Sequence, residues 1–160
     1  MLELESVTIT PKDFSLIIGQ SHFIKSVEDL YEALATSSSS IRFGLAFCEA
    51  SGPALIRVEG NDEALKAEAS RIAGSIGAGH SFVVTLKDAF PISVLNRVKA
   101  LEEVASVFCA TGNPVQVIVA KTEQGRGIMG VVDGVSPKGV EGDDDREDRR
   151  EFLRKIGYKR

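Results

Sequence analysis

Tryptophan is absent from this chain of 160 residues, and aromatic side chains make up only 6% of it. Such a composition offers few of the aromatic platforms on which single-stranded nucleic acids stack. Positive charge is also scarce, because 19 Lys and Arg face 23 Asp and Glu and give a net charge of −4. A nucleic-acid-binding protein would show a basic face or stripe, so the charge balance argues against that class.

Long apolar runs and paired cysteines are missing as well. No run reaches the ~20 residues that span a bilayer, and Met1–Thr10 has neither the basic start nor the apolar stretch of a secretory leader. We therefore expect a cytoplasmic protein with no membrane partner. The two cysteines, Cys48 and Cys109, stand in separate apolar runs rather than in a C-x-x-C pair, which argues against zinc or redox chemistry and predicts buried, reduced thiols.

What is present suits one globular domain over residues 1–160, with 43% hydrophobic and 26% charged residues. Alternating and continuous apolar runs predict strands at Leu2–Thr10, Phe14–Gly19, Ile41–Cys48, Ala54–Val58, His80–Leu86, Val104–Cys109 and Val115–Lys121. Helical spacing predicts a helix from Ser26 with a Ser26–Asp29 capping box, a second over Glu63–Ile76 capped by Asn61 or Asp62, a third over Pro91–Leu101 and a last over Asp144–Tyr158. This order predicts an α/β fold, a layered α/β/α sandwich with a mixed β-sheet.

The stretch Gly74–Ser81, G-S-I-G-A-G-H-S, joins the second helix to a strand and carries one of only two histidines. Gly77 and Gly79 permit positive φ and let a phosphate approach the backbone, which predicts a phosphate-handling site with His80 as nucleophile. Alternatively, Gly77 is the C-cap of the helix, Gly79 eases the turn and His80 is an ordinary histidine at a strand edge.

The other histidine, His22, lies with Lys25 just before the first helix. Backbone N–H groups and the dipole at a helix N-terminus favour an anion, so these two residues are a second candidate for holding phosphate. The alternative for His22 is a loop histidine bonded to the backbone. A Walker A string and the protein-kinase motif set are both absent, so phosphate chemistry would proceed without those standard cradles.

Several longer strings follow one another in a recognisable order. They are I-I-G-Q-S-H-F-I-K-S-V-E-D-L-Y-E-A from Ile17, F-G-L-A-F-C-E-A-S-G-P from Phe43, G-A-G-H-S-F-V-V from Gly77, A-F-P-I-S-V-L-N from Ala89, F-C-A-T-G-N-P-V from Phe108, E-Q-G-R-G-I-M-G-V-V-D-G from Glu123 and E-F-L-R-K-I-G-Y-K from Glu151. Together they span nearly the whole chain and resemble the adenosine-specific kinase family.

The resemblance implies a single α/β sandwich domain that binds adenosine or an adenine nucleotide, assembles as a homo-oligomer (a trimer or a multiple of it) and carries phosphate on a histidine. We therefore predict a phosphotransferase that uses ATP and Mg²⁺, with His80 or His22 as the phosphorylated residue or phosphate ligand. The alternatives are a non-catalytic adenine-nucleotide sensor and an oligomeric scaffold whose pocket is vestigial.

A second glycine-rich stretch, Thr122–Gly130, holds Arg126 between Gly125 and Gly127. The two glycines are predicted to help bind the nucleotide, and the guanidinium fork of Arg126 is predicted to neutralise the transferred charge. The alternative for Arg126 is a solvated turn residue.

Two carboxylates and two amides complete the candidate site. Glu49 and Asp133 each end an apolar run, where α/β sheets place ligand-binding groups, and they are predicted to hold Mg²⁺ or to accept a proton. Ordinary turn capping is their alternative. Asn96 and Asn113 have the paired donor and acceptor that read an adenine edge, and otherwise they cap helices and turns.

Overall fold

The computed structural model describes all 160 residues. The chain forms eight strands and four helices in the order β1 (Glu3–Ile9), β2 (Ser15–Ser21), α1 (Ser26–Ala35), β3 (Arg42–Cys48), β4 (Ile56–Gly60), α2 (Glu63–Ile76), β5 (Ser81–Lys87), α3 (Pro91–Lys99), β6 (Val104–Thr111), β7 (Val115–Lys121), β8 (Arg126–Asp133) and α4 (Asp143–Lys155). None of these helices combines the length and the apolar character needed to cross a membrane.

The strands form two sheets, one of five strands in the order β4-β3-β5-β2-β6 and one of three in the order β1-β7-β8. The predicted α/β class is confirmed. Every strand pair is antiparallel, however, so two antiparallel sheets stand where a mixed sheet was expected. The reason is that β5 lies between β2 and β3 and runs against both, a partnership between distant segments that the order of elements does not reveal.

The five-stranded sheet is covered on both faces. Helices α1 and α3 pack on one face around Phe47 and Phe82. Helix α2 and the three-stranded sheet pack on the other face, around Ile72 and Val117. Strand β5 is buried along almost its whole length and lies in the middle of the five-stranded sheet, as suits its continuous apolar run.

Helix α2 begins and ends where local signals predict. The side chain of Asp62 caps the helix by accepting a hydrogen bond from the N–H of Leu65 at 2.9 Å. Gly77 ends the helix in the left-handed region, with φ of 62°. The helix also lies directly on β3, because a methyl group at Gly44 would come within 2.2 Å of the backbone of Leu65. Only glycine permits this approach.

Two local predictions are wrong. Ser26 does not cap α1, because Lys25 occupies the N-cap position with helical dihedral angles, and the Ser26 hydroxyl instead donates to Oε1 of Glu103 at 3.3 Å. Much of the predicted glycine-rich turn Thr122–Gly130 belongs to strand β8. Its glycines weaken the strand signal, whereas antiparallel pairing with β7 and the packing of the partly buried Ile128 and Val131 against the core stabilise the strand.

The last helix, α4, carries three aspartates in its first turn and Arg154 and Lys155 in its last turn, an arrangement that complements the helix dipole. Its apolar side chains are not buried within the chain. Phe152 is 59% exposed and Ile156 is 43% exposed, and the helix buries none of its residues.

Candidate functional site

Both histidines lie at the same end of the strands of the five-stranded sheet. Strands β2 and β3 end there and β5 begins there, so that His22, Glu49 and His80 follow or precede neighbouring strands. Backbone hydrogen bonds join the three segments: the N–H of His80 donates to the carbonyl of Cys48 at 2.7 Å, and the N–H of Ser21 donates to the carbonyl of His80 at 2.9 Å. We call this end of the strands the histidine end of the sheet.

A cleft opens between the histidine end and the turn that connects β7 to β8. Its volume is about 560 Å³. The residues that line it are mostly small or polar and come from three connections of the fold and the strand ends beside them: Glu49, Ala50, Ala54, Gly77, Gly79, Ala120, Thr122, Gln124, Gly125, Arg126 and Gly127. We call it the glycine cleft. It brings together six of the predicted site residues, which lie as much as 78 positions apart between Glu49 and Gly127.

Backbone forms much of the wall because four of the lining residues are glycines. A methyl group at Gly79 would lie 2.9 Å from Cβ of Ala50. One at Gly77 would lie 3.1 Å from Cδ of Arg126, at a position where φ of 62° already disfavours other residues. Gly125 and Gly127 have open space around them. The cleft therefore exposes peptide groups, which suit the close approach of an anion.

Arg126 stands in the wall of the glycine cleft and is already engaged. Its Nε donates to the carbonyl of Ile76 at 2.8 Å, and its Nη1 donates to Oε2 of Glu5 at 2.6 Å. The guanidinium thus satisfies the exposed carbonyl end of α2 and ties it to β1 and β8. It is neither a solvated turn residue nor a wholly free anion ligand, since an incoming phosphate would compete with Glu5.

His80 directly follows Gly79 of the cleft lining, and its ring stacks against the buried ring of Phe47. The ring centroids lie 5.8 Å apart with an interplanar angle of 27°. His80 also has φ of 62°, one of four positive values at residues other than glycine. Such strain persists only where the surroundings fix the backbone, and it concentrates at functional sites.

His22 is exposed and is held mainly through its backbone. Its N–H donates to the carbonyl of Glu103 at 2.7 Å, and its ring meets the ring of Phe23 edge-on at 5.0 Å between centroids. Both histidines are therefore at the same end of the sheet, but neither imidazole belongs to the lining of the glycine cleft.

Lys25 is engaged by carboxylates and is not free for a phosphate. Its Nζ hydrogen-bonds Asp29 and lies 3.2 Å from Glu102 and 3.6 Å from Glu103. The hydrogen bond to Asp29 and then that to Glu102 raise the pKa of Lys25, and the same contact with Lys25 lowers the pKa of Asp29. Because only 1% of the Glu103 side chain is exposed, its charge needs this partner.

Glu49 is the acidic residue of the glycine cleft. Its carboxylate accepts the N–H of Leu55 at 2.8 Å and Nη2 of Arg57 at 2.9 Å. These contacts, the backbone one first, lower the pKa of Glu49, so it stays ionised at neutral pH.

Asp133 lies at the opposite end of β8 from Arg126. With strands of seven or eight residues, the two ends are roughly 20 Å apart. Thr111 and Asn113 donate to Oδ1 of Asp133 at 2.9 and 3.2 Å. Glu49 and Asp133 therefore do not form one metal site, and no group of three or more His, Cys, Asp or Glu side chains elsewhere suits a metal ion.

The two predicted adenine-reading amides are not brought together. Asn113 donates to Asp133, at the end of β8 opposite Arg126. We call this end of the sheet the Asp133 end. Asn96 is exposed on α3, where its backbone carbonyl accepts a hydrogen bond from the N–H of Ala100 at the end of the helix. Neither lines the glycine cleft.

The two cysteines are buried and free, as predicted. Burial raises the pKa of Cys48, and it raises the pKa of Cys109 to about 12. Both thiols are therefore protonated at neutral pH and take no part in nucleophilic chemistry.

Sequence reasoning misses several residues of this region, above all Glu5, Arg57, Phe47 and Glu103. Their roles depend on partners in other elements, such as the Arg126 guanidinium for Glu5 and the His80 ring for Phe47. One signal is readable in the sequence: Arg57 lies in the predicted strand Ala54–Val58, which follows the predicted strand Ile41–Cys48 after a short connection. Pairing of these two strands places Arg57 across from the end of β3 and near Glu49.

Comparisons with known proteins place the chain in a family and support its fold. The family model described as adenosine specific kinase matches residues 7–159 of the chain. The crystal structure of the PH1918 protein from Pyrococcus horikoshii OT3 is similar with a TM-score of 0.95 and 46% sequence identity, over 100% of this chain and 99% of that one. No curated protein matches the chain.

Proposed function

The chain belongs to the adenosine specific kinase family, and from that membership we propose that it transfers a phosphoryl group from ATP to adenosine. The observation that carries the proposal is the family match over residues 7–159. The gathering of a glycine-walled cleft, an arginine and both histidines at one end of the sheet supports it.

In this proposal the glycine cleft receives the α- and β-phosphates of ATP, and the γ-phosphate extends beyond the cleft lining to the imidazole of His80, which follows Gly79. The N–H of Gly79 donates to a phosphate oxygen, whereas that of Gly77 already donates to the carbonyl of Ala73 at 2.8 Å, and Arg126 adds a guanidinium once the phosphate displaces Glu5. A protein-held Mg²⁺ does not fit the residues present, because Glu49 is the acidic residue of the cleft and its carboxylate already accepts two hydrogen bonds. A magnesium ion that arrives on the nucleotide, bound mainly by phosphate oxygens, does fit.

His80 is the proposed phosphoryl acceptor. An unprotonated imidazole nitrogen attacks the γ-phosphorus, the bond from that phosphorus to the β–γ bridging oxygen breaks, and ADP leaves with the electron pair. A hydroxyl of adenosine then takes the phosphoryl group and loses its proton, which regenerates the imidazole and gives a phosphorylated nucleoside. The strained, supported backbone of His80 favours it over the exposed His22.

A phosphotransfer assay tests this proposal. Purified protein is incubated with ATP, Mg²⁺ and adenosine, and AMP and ADP are quantified by liquid chromatography. We expect AMP and ADP in equal amounts, loss of both with His80→Gln, and retention with the matched variant His22→Gln. Intact-mass spectrometry at alkaline pH without adenosine should show one added phosphate on the wild type and none on His80→Gln. A wild type that forms neither AMP nor phosphoprotein contradicts the proposal.

The second candidate function is a non-catalytic adenine-nucleotide sensor. It is favoured by one observation, the engagement of Arg126 with Ile76 and Glu5, since a ligand that displaces Glu5 would loosen the joint between β1, β8 and α2. In that case nucleotide binds without turnover, and replacing both histidines leaves its affinity unchanged. The same chromatography combined with calorimetric titration separates the two functions.

A homo-oligomer, a trimer or a multiple of it, is part of the proposal. Support comes from apolar side chains that the chain leaves exposed at the Asp133 end, including Phe90, Ile92 and Phe152, which are 66%, 65% and 59% exposed. Burying such a patch against another copy is favourable. Light scattering should give a mass of three chains or a multiple, and Phe152→Glu should lower it, whereas a monomeric wild type would contradict this.

A further inference from the structure

The backbone of His80 is fixed from both sides. Its φ of 62° lies in the left-handed region, which a residue with a side chain seldom adopts. Its N–H and its carbonyl are bonded to β3 and to the end of β2, at 2.7 and 2.9 Å. The direction in which the side chain leaves the backbone is therefore set, and only rotation about the two side-chain bonds remains to be controlled.

The ring of Phe47 controls that rotation. Phe47 lies in β3 with none of its side chain exposed, so its own position is determined by the core. Its ring and the His80 imidazole form an offset stack, 5.8 Å between centroids and 27° between planes. No hydrogen bond or ion pair to another side chain competes with this contact.

We propose that Phe47 is a positioning residue for His80. This inference rests on the proposed function, in which an imidazole nitrogen must meet the γ-phosphorus in line with the departing oxygen. A flat, immobile support beneath one face of the imidazole keeps the ring edge, which carries the nitrogens, directed away from the core. Without it, His80 samples several ring orientations, and only a fraction of them can react.

A neighbouring residue provides a matched control. Phe43 lies in the same strand and the same core cluster and is also fully buried, but its ring contacts Tyr31, at 5.3 Å, rather than His80. Phe47→Leu and Phe43→Leu therefore remove the same atoms from the same layer. Phe47→Met serves as a second variant that keeps more of the volume without a ring, should the leucine variant fold poorly.

Kinetics provide the first readout. We expect Phe47→Leu and Phe47→Met to lower kcat about tenfold or more, because a small displacement of a reacting group is costly, while KM for ATP changes less than about twofold. Phe43→Leu should keep kcat within about twofold of the wild type. Equal losses of kcat in the Phe47 and Phe43 variants would overturn the inference, since they would reflect general loosening of the core.

Nuclear magnetic resonance provides a readout that does not depend on activity. Only two histidines contribute imidazole signals, and His22→Gln assigns them. In the wild type, the ring protons of His80 should show Overhauser contacts to Phe47 and an upfield ring-current shift, both lost in the Phe47 variants and kept in Phe43→Leu. A wild type without these contacts overturns the inference. Intact contacts in a wild type that forms no AMP overturn the proposed function alone.

Discussion

Replacing Arg126 with Gln removes the side chain that joins β8, the end of α2 and β1. The lost interactions are a charge-assisted hydrogen bond to the Ile76 carbonyl at 2.8 Å and an ion pair with Glu5 at 2.6 Å. The first contributes about 1.5 kcal/mol and the second, which is partly exposed, about 0.5 kcal/mol. The free energy of unfolding should therefore fall by about 2 kcal/mol in Arg126→Gln, and Tm by about 4–8 °C for a domain of this size.

Urea denaturation followed by circular dichroism measures this loss, with Glu5→Gln as the control. That control removes the ion pair but leaves the bond to Ile76, so it should cost only about 0.5 kcal/mol. The double variant should be no less stable than Arg126→Gln, because the pair is already broken in the single variant. An Arg126→Gln protein within about 0.5 kcal/mol of the wild type would refute the idea that this guanidinium holds the three elements together.

The same two variants separate the structural from the ligand-binding role of Arg126. In the proposed site a phosphate competes with Glu5 for the guanidinium, so Glu5→Gln should tighten ATP binding while Arg126→Gln weakens it. Isothermal titration calorimetry measures both affinities. Unchanged affinity in both variants would leave Arg126 with a purely structural role.

The remaining predictions concern stability and reactivity. Gly44→Ala should destabilise the fold by about 2 kcal/mol or more, because the new methyl meets backbone at 2.2 Å. Gly74→Ala should instead stabilise it by about 0.5–1 kcal/mol, because the new methyl makes only an ordinary contact with Ile56 at 3.6 Å. Chemical denaturation measures both changes, and changes of the same sign would contradict this reasoning. The hydrogen bond from the N–H of Leu65 lowers the pKa of Asp62 below its ordinary 3.8. The stabilisation by ionised Asp62 is therefore present above that pH and is lost as the pH falls through the folded-state pKa. In Asp62→Asn the free energy of unfolding should depend less on pH in the acid range, and an unchanged pH dependence would argue against the cap. Cys48 and Cys109 should resist a thiol reagent at pH 8 until denaturant is added, whereas rapid labelling of the native protein would contradict their burial.

The elements that sequence predicts best are those with local chemical signals at both ends. Helix α2 has an aspartate at its start and a glycine at its end, and each acts on backbone groups within four residues, so both ends were predictable from Asp62 and Gly77. The sheets are different, because β5 finds its partners β2 and β3 at a distance and in an antiparallel sense that no local pattern specifies.

The candidate site shows the same contrast between local signals, which the sequence reveals, and contacts between distant segments, which it does not. Glu49 and Asp133 carry an identical local signal, a carboxylate after an apolar run, yet they lie at opposite ends of the strands because strand direction decides where each side chain emerges. Arg126 and its partner Glu5 are 121 positions apart, and the carboxylates around Lys25 include one 77 positions away. Local reasoning identifies the reactive residues but not the contacts that engage or free them.

The most direct test of the proposed nucleotide site is to locate the nucleotide on the protein. When the protein is titrated with a non-hydrolysable ATP analogue and Mg²⁺, we predict the largest backbone amide chemical-shift changes at the glycine cleft, for Gly77, Gly79, Gly125 and Gly127, together with the neighbouring His80. Shifts confined to the Asp133 end of the sheet, around Gly112 and Asn113, with the cleft glycines unmoved, would contradict it.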